Sequence, residues 1–340
     1  KKNNFDILHI RGEIINLRII LDCIFRLKFK FQDYINFYVN KVNPKIIITF
    51  IDNYSQVYAI DHKAKKIVIQ NAFRTGQENF DRIKKVVKGS GFIFCHNKFV
   101  GKIYRKYTKF NIVPSGSFKS NSIPTKKLKK KYDILFISTF RNYAKTDYFF
   151  EKLNLTIQNF EAYETLVLKY LKNFSKKHNL KLNILSVPTS KANANFFEQK
   201  KHYNKIIGAN GWHLLNNNSE NFAYHKIDQS TLIVGLDSTL LYESFVRKNK
   251  TFFFDVRFFD KKISKKFRRS FRFAYPSTFK REGIFWTSKL DSSSNDKKLL
   301  NLYFLNNKEW DKIYRKYVSF LMDYDKNNLK FKKTIKNYIN

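Results

Sequence analysis

The chain has 340 residues, 43% of them hydrophobic, which is enough to bury sizeable cores and excludes a disordered segment. Its 66 Lys and Arg against 27 Asp and Glu give a formal charge of +39, which attracts nucleic acid, anionic lipid and negatively charged substrates alike. The two cysteines, Cys23 and Cys95, lie far apart and outside any C-x-x-C pair, which excludes a disulfide scaffold and a thiolate metal site and suits a reducing compartment.

The most apolar N-terminal stretch, Leu17 to Leu27, is interrupted by Arg18 and Asp22 and falls short of the roughly 18 apolar residues of a membrane span. No signal-peptide pattern precedes it. The expectation is a cytoplasmic protein, soluble or peripheral on the inner face of the cytoplasmic membrane. Residues 31–41 have helical spacing, and Pro44 stops that helix just before the apolar run Ile46 to Ile51. Lys66 to Gln70 and Phe92 to Cys95 read as two more strands, with helices expected over 79–87 and 97–106. The stretch Ser120 to Lys131 holds Pro124 and a lysine cluster and lacks apolar periodicity, so it reads as a linker.

Beyond it, Ile134 to Ser138 is a short apolar run that ends in small polar residues, as a buried strand does. Tyr163, Leu166, Val167, Tyr170, Leu171 and Phe174 fall on one helical face. Leu182 to Leu185 then reads as a strand, Phe196 to Ile206 as a helix, Thr231 to Gly235 as a strand, Thr239 to Arg247 as a helix and Thr251 to Phe254 as a strand. Helical spacing returns at Trp310, Ile313, Tyr317 and Leu321. Alternating strands and helices imply parallel sheets. The organisation expected is α/β: two tandem Rossmann-like domains facing a cleft, over 1–120 and 132–305. A linker over 121–131 joins them, and a helical segment over 306–340 packs back across both.

Ligands of open α/β sheets bind outside the carboxyl ends of the strands, so the residues there are the candidates. Asp237, Ser238 and Thr239 follow a strand and open a helix, where free N–H groups favour a phosphate. Glu243, one turn on, suits a ribose or sugar hydroxyl. The bland alternative is that Ser238 is only a cap and Glu243 pairs with Arg247 at i,i+4 spacing. Ser138, Thr139 and Arg141 leave another strand and suit a phosphate or diphosphate, or they form an ordinary strand exit. In the first half Asp52, Asn53, Gln70, Asn71 and Arg74 leave two strands. Asp52 is the carboxylate placed to act as nucleophile or base, or it makes an Asx turn. Fingerprints for NAD and ATP are absent, as is H-E-x-x-H. Asp323-Tyr324-Asp325 is formally D-x-D but lies in the helical tail, so no metal site is expected.

Taken in order, these clusters resemble a known group. Pro44 to Asn53, Ile69-Gln70-Asn71 with Arg74, Gly116-Ser117, Ile137 to Arg141, and Tyr224 to Glu243 look like bacterial surface-carbohydrate biosynthesis proteins of the O-antigen and capsule type. The likeness covers roughly residues 40–255 and is distantly similar to the β-Kdo transferases. It implies a GT-B glycosyltransferase fold, with a nucleotide-sugar donor, CMP-Kdo in the nearest case, held by the C-terminal domain. It further implies a glycan or lipid-linked acceptor on the N-terminal side, no metal, and Asp52 as the reacting carboxylate. The basic stretches Lys126 to Lys131 and Lys261 to Phe273 suit contact with anionic lipid. Rival readings are a nucleotide-sugar epimerase or hydrolase of the same fold, a basic nucleic-acid-binding protein, and a non-catalytic assembly scaffold. Nucleic acid is disfavoured because no zinc-finger, basic-zipper or RNP motif occurs.

Overall fold

The computed structural model describes residues 5–9, 14–74, 80, 83, 86–125, 128–140, 149, 150, 155–188, 195–219, 221–256, 272–277 and 279–339. The chain divides into two compact units, Lys1–Phe118 with Asn328–Asn340, and Lys119–Asn327.

The first unit is built on four parallel strands, β1 (Ile46–Thr49), β2 (Lys65–Ile69), β3 (Gly91–Cys95) and β4 (Asn111–Pro114), lying in that order. Side chains alternate along β2 as the pleat requires. Val68 joins the core formed with α1 (Leu17–Phe25), α2 (Phe31–Val42), α3 (Ser55–Ala59) and α4 (Lys98–Tyr104). Ile67 and Ile69 point the other way, onto a cluster with Phe94. The C-terminal helix, Leu329–Ile339, covers this second face, where the Phe331 ring meets Phe94 edge-on at 5.4 Å and Phe118 at 4.9 Å. Gly91 opens β3 where a Cβ would collide with the Lys66 backbone carbonyl, so no larger residue fits without moving the strand.

The second unit starts through α5 (Phe118–Ser122) and holds a six-stranded, wholly parallel sheet. Its strands are β5 (Tyr132–Ile137), β8 (Leu182–Leu185), β9 (Trp212–Leu215), β10 (Ser230–Gly235), β11 (Thr251–Phe254) and β12 (Trp286–Thr287). A separate two-stranded ribbon, β6 (Phe149–Phe150) and β7 (Leu155–Thr156), follows β5. The order across the large sheet is β12-β11-β10-β5-β8-β9. Numbered within the unit, that is 6-5-4-1-2-3, the doubly wound Rossmann order, with its reversal between β5 and β10. The connecting helices are α6 (Ile157–Lys177), α7 (Phe196–Ile207), α8 (Phe222–Asp228), α9 (Thr239–Val246) and α10 (Ser292–Phe304). In α11 (Asn307–Leu321), Trp310 packs edge-on against Phe245 at 5.3 Å. The C-terminal helix is α12.

Strands β1, β2, β3, β5, β8, β10 and β11 lie within a few residues of the sequence expectation. The inward face of α6 is rotated from the expected one. Glu164, Val167, Leu168, Leu171 and Phe174 are buried, while Leu166 is exposed. Residues of the expected 79–87 helix lie mostly outside the described residues. No helix among the described residues is long and apolar enough to cross a membrane.

Candidate functional site

In the first unit, four of the expected residues form one network. Asp52 sits in the turn after β1 with its side chain fully buried. Arg74 closes a fork on it, Nε donating to Oδ2 at 2.8 Å and Nη2 to Oδ1. The Tyr104 hydroxyl also donates to Oδ2, and the Asn71 backbone N–H to Oδ1 at 3.3 Å. The same Arg74 Nη2 reaches Asn71 Oδ1 at 2.8 Å and Asn53 Oδ1 at 3.2 Å. Such a charge-assisted fork fixes both partners in angle as well as distance. Burial, followed by the Asp52 charge, drives the Tyr104 phenol well above its ordinary pKa, so it remains a donor.

Gln70 does not enter this network. Its Oε1 accepts from the His96 backbone N–H at 2.9 Å and its Nε2 donates to the Ala72 carbonyl at 2.9 Å. His96, directly after β3, was missed in the sequence, although a His-Asn pair closing an apolar strand is a readable signal. Its ring is fully buried, stacks near Phe73 at 6.3 Å, and neither nitrogen finds a partner among the described residues. Burial holds its pKa down at about 4, so the ring is neutral at pH 7. A buried neutral imidazole with two unused nitrogens is an unmet hydrogen-bonding capacity beside a fixed guanidinium.

In the second unit, the register sets Phe136 beside Val234, so the chain leaves β5 and β10 at adjacent positions. Both expected clusters therefore flank the reversal of strand order. On the β5 side, Ser138 and Tyr203 share a short hydroxyl–hydroxyl hydrogen bond, and the Phe140 N–H donates to Ser138 Oγ at 3.0 Å. Fully buried Glu164 gathers this turn, accepting from Thr139 N at 3.2 Å, Thr139 Oγ1 at 3.0 Å and the Tyr203 hydroxyl at 3.0 Å. Arg141 lies outside the described residues.

On the β10 side, Asp237, Ser238 and Thr239 are partly exposed at the start of α9. Ser238 is the N-cap, yet its hydroxyl makes no capping hydrogen bond. The first-turn N–H groups and the helix dipole there suit an anion. Glu243 is buried and accepts from the Tyr224 hydroxyl at 2.9 Å. Arg247 does not pair with it. The guanidinium forks instead onto Asp228, at 3.1 and 2.5 Å, and its other N–H groups hold the Ile123 and Pro124 carbonyls at 2.9 and 3.2 Å. The i,i+4 pairing is overridden because a buried guanidinium needs more acceptors than one carboxylate supplies. Among the described residues no group of His, Cys, Asp and Glu could hold a metal ion.

Comparison with known proteins agrees with this architecture. The fold is similar to that of a protein from Listeria monocytogenes described as a UDP-N-acetylglucosamine 2-epimerase, at 11% identity and a TM-score of 0.56, over 91% of this chain and 77% of that one. It is similar to Staphylococcus aureus MnaA, solved with UDP, at 10% identity and a TM-score of 0.52, over 98% and 83%. A glycosyltransferase from Rickettsia africae aligns at 11% identity and a TM-score of 0.48, over 98% and 83%. No curated protein matches the sequence. Residues 67–339 match the family described as O-antigen biosynthesis protein, and the chain belongs to that family.

Proposed function

We propose that the protein is a glycosyltransferase of surface-polysaccharide assembly that moves a sugar from a nucleotide-sugar donor to a growing, lipid-linked glycan. The observation that carries this reading is the strand-order reversal in the second unit, flanked by Ser138-Thr139 and Asp237-Ser238-Thr239. Crevices at such reversals are where doubly wound sheets bind nucleotides. In this reading the first turn of α9, with Ser238, Thr239 and the exit of β5 with Thr139 and Arg141, takes the donor phosphate. Asp237 and Glu243 take the ribose or sugar. A phosphate neutralised by helix N–H groups and basic side chains can leave without a metal.

On the first unit, Arg74, Asn53, Asn71, Gln70 and His96 form the acceptor side. Asp52 is the reacting carboxylate that the β-Kdo-transferase resemblance implies. Because its oxygens are closed by Arg74 and Tyr104, it acts once Arg74 turns to ligand. The basic stretches over 126–131 and 261–273 add attraction to an anionic membrane. Most of their residues lie outside the described ones.

The test is thermal unfolding with CMP, UDP, GDP and dTDP, for the wild type and Ser238→Ala. A nucleotide at about 100 times its Kd stabilises by roughly 2.7 kcal/mol. A shift with one nucleotide, lost in Ser238→Ala, supports the donor site, and CMP points to a Kdo-like sugar. No shift with any of the four removes the reading.

A second reading, a nucleotide-sugar epimerase, is favoured by the likeness to the Listeria protein. It requires the donor sugar to change configuration with no acceptor present. A proton NMR time course on the nucleotide sugar alone separates the two.

A further inference from the structure

We infer that the α1–α2 hairpin at the start of the first unit is a docking face for a bilayer with anionic headgroups. Helix α1 turns only Ile19 and Cys23 into the core. Ile20 packs partly against that core, while Leu17, Leu21, Ile24 and Phe25 face outward, and the exposure continues through the turn into α2. Leu17 is 75% exposed, Phe25 83%, Leu27 77% and Phe29 73%. Eleven of the twenty large apolar side chains exposed among the described residues lie between Phe5 and Phe31. A cavity of about 260 Å³ opens among them, lined by His9, Ile15, Ile20, Cys23, Ile24 and Phe29. Scattered exposed apolar residues need no explanation, but a contiguous patch of this size marks a binding surface.

Charge selects the occupant. Phe25-Arg26-Leu27-Lys28-Phe29-Lys30-Phe31 alternates apolar with basic residues, and Arg18, Arg26, Lys28 and Lys30 are all exposed. Three acids lie nearby: Asp22, its side chain 47% exposed, is 4.0 Å from Lys41, Asp33 accepts from the Lys30 backbone N–H at 3.3 Å, and exposed Asp6 accepts from the Tyr38 hydroxyl at 2.9 Å. The face is therefore apolar in its middle and cationic around it, with four exposed basic side chains against three carboxylates that each have a partner. A protein groove that accepted these rings would have to satisfy three interleaved cations at once. A bilayer does so without special geometry, since acyl chains take the rings while long basic side chains reach back to the phosphates. The surface is distinct from the basic stretches assigned to lipid above. It rests on the membrane part of that reading but needs neither a donor nor a reaction.

The test is flotation of the full chain with phosphatidylcholine vesicles and with vesicles of phosphatidylcholine and phosphatidylglycerol. The wild type is expected to float with the anionic vesicles and to sediment away from the neutral ones. The variant F25S/L27S/F29S should lose at least about tenfold in partitioning, with an unchanged melting temperature, because those side chains are exposed. K28Q/K30Q should weaken binding to anionic vesicles and flatten its salt dependence. A variant with the lysines of 261–266 changed to Gln should keep most of the binding. Wild-type-like flotation of the triple serine variant overturns the proposal, as does a wild type that ignores anionic vesicles. A dimer in solution that the triple variant abolishes also overturns it, because a second copy would then own the face. Nucleotide thermal shifts in the same variants should match the wild type, so failure here leaves the donor site standing.

Discussion

Arg74 and Asp52 form a two-point fork in the first unit, with the carboxylate side chain 0% exposed and the guanidinium side chain 11%. Removing one member of a buried pair leaves the other charge uncompensated, which typically costs about 3–5 kcal/mol. Arg74→Met should therefore lower stability by that order. Asp52→Asn should cost a comparable amount, since it leaves the Arg74 charge uncompensated and sets an amide NH2 against donors that one carboxylate oxygen had accepted from. If both substitutions leave urea midpoints within about 0.5 kcal/mol of the wild type, the fork does not hold this end of the sheet.

The two serines of the second unit should behave differently despite their similar sequence settings. Ser138 is bonded to Tyr203 and accepts from Phe140 N, whereas the Ser238 hydroxyl makes no capping bond. Ser138→Ala strands buried partners and should cost about 1–3 kcal/mol of stability. Ser238→Ala should stay within about 0.5 kcal/mol and alter only ligand binding. Paired chemical denaturation of the two variants decides this, and equal losses would mean that Ser238 is structural after all.

The sheet of the second unit was legible because its strands are short apolar runs that end in small polar residues. Ser138 and Ser238 could therefore be placed at strand ends without any tertiary information. What local pattern could not show was pairing at a distance. Thr139 meets Glu164 across 25 residues, Ser138 meets Tyr203 across 65, and Asp52 meets Tyr104 across 52. Glu164 did carry a signal, since it stands at i and i+4 spacing with Leu168 on the inward face of α6. A lone carboxylate in an apolar stripe announces a buried polar partner. Strands β9, β4 and β12 escaped for a different reason. The two residues of β12 carry no period at all, and β4 and β9 hold only two adjacent aliphatic residues each, Ile112-Val113 and Leu214-Leu215, next to polar Asn111 or His213.

Lys66 is a buried cation without a carboxylate partner at its tip. Its Nζ donates to the Tyr58, Ile60 and Lys88 carbonyls at 3.2, 2.5 and 2.7 Å. Burial lowers its pKa to about 8, below that of the unfolded chain at about 10.5. Between those values the unfolded state binds more protons, so stability contributed at this site rises with pH. Raising the pH from 7.5 to 9.5 should stabilise the wild type relative to Lys66→Met by on the order of 1–2 kcal/mol. Urea curves at the two pH values give the comparison, and parallel trends in both proteins would refute it. Lys66→Met should still be the weaker protein at pH 7.5, because three buried carbonyls lose their donor.

His96 sets the opposite limit. Buried behind Phe73, it stays neutral down to about pH 4, whereas an unfolded histidine protonates near 6.5. As pH falls through that window the unfolded chain gains a proton that the folded protein refuses, so stability present above 6.5 is progressively lost. His202, held near 4 by burial and then by Lys205, acts in the same direction. Acidification from pH 7 to 4.5 should therefore destabilise the wild type by up to roughly 2–3 kcal/mol more than His96→Phe. A ligand whose oxygens accept from both ring nitrogens should narrow this difference, because it stabilises the imidazolium that burial disfavours. Acid titrations of melting temperature for both proteins, with and without a candidate acceptor glycan, measure each effect. Identical acid sensitivity in wild type and variant would mean that the ring is solvated and not part of a closed site.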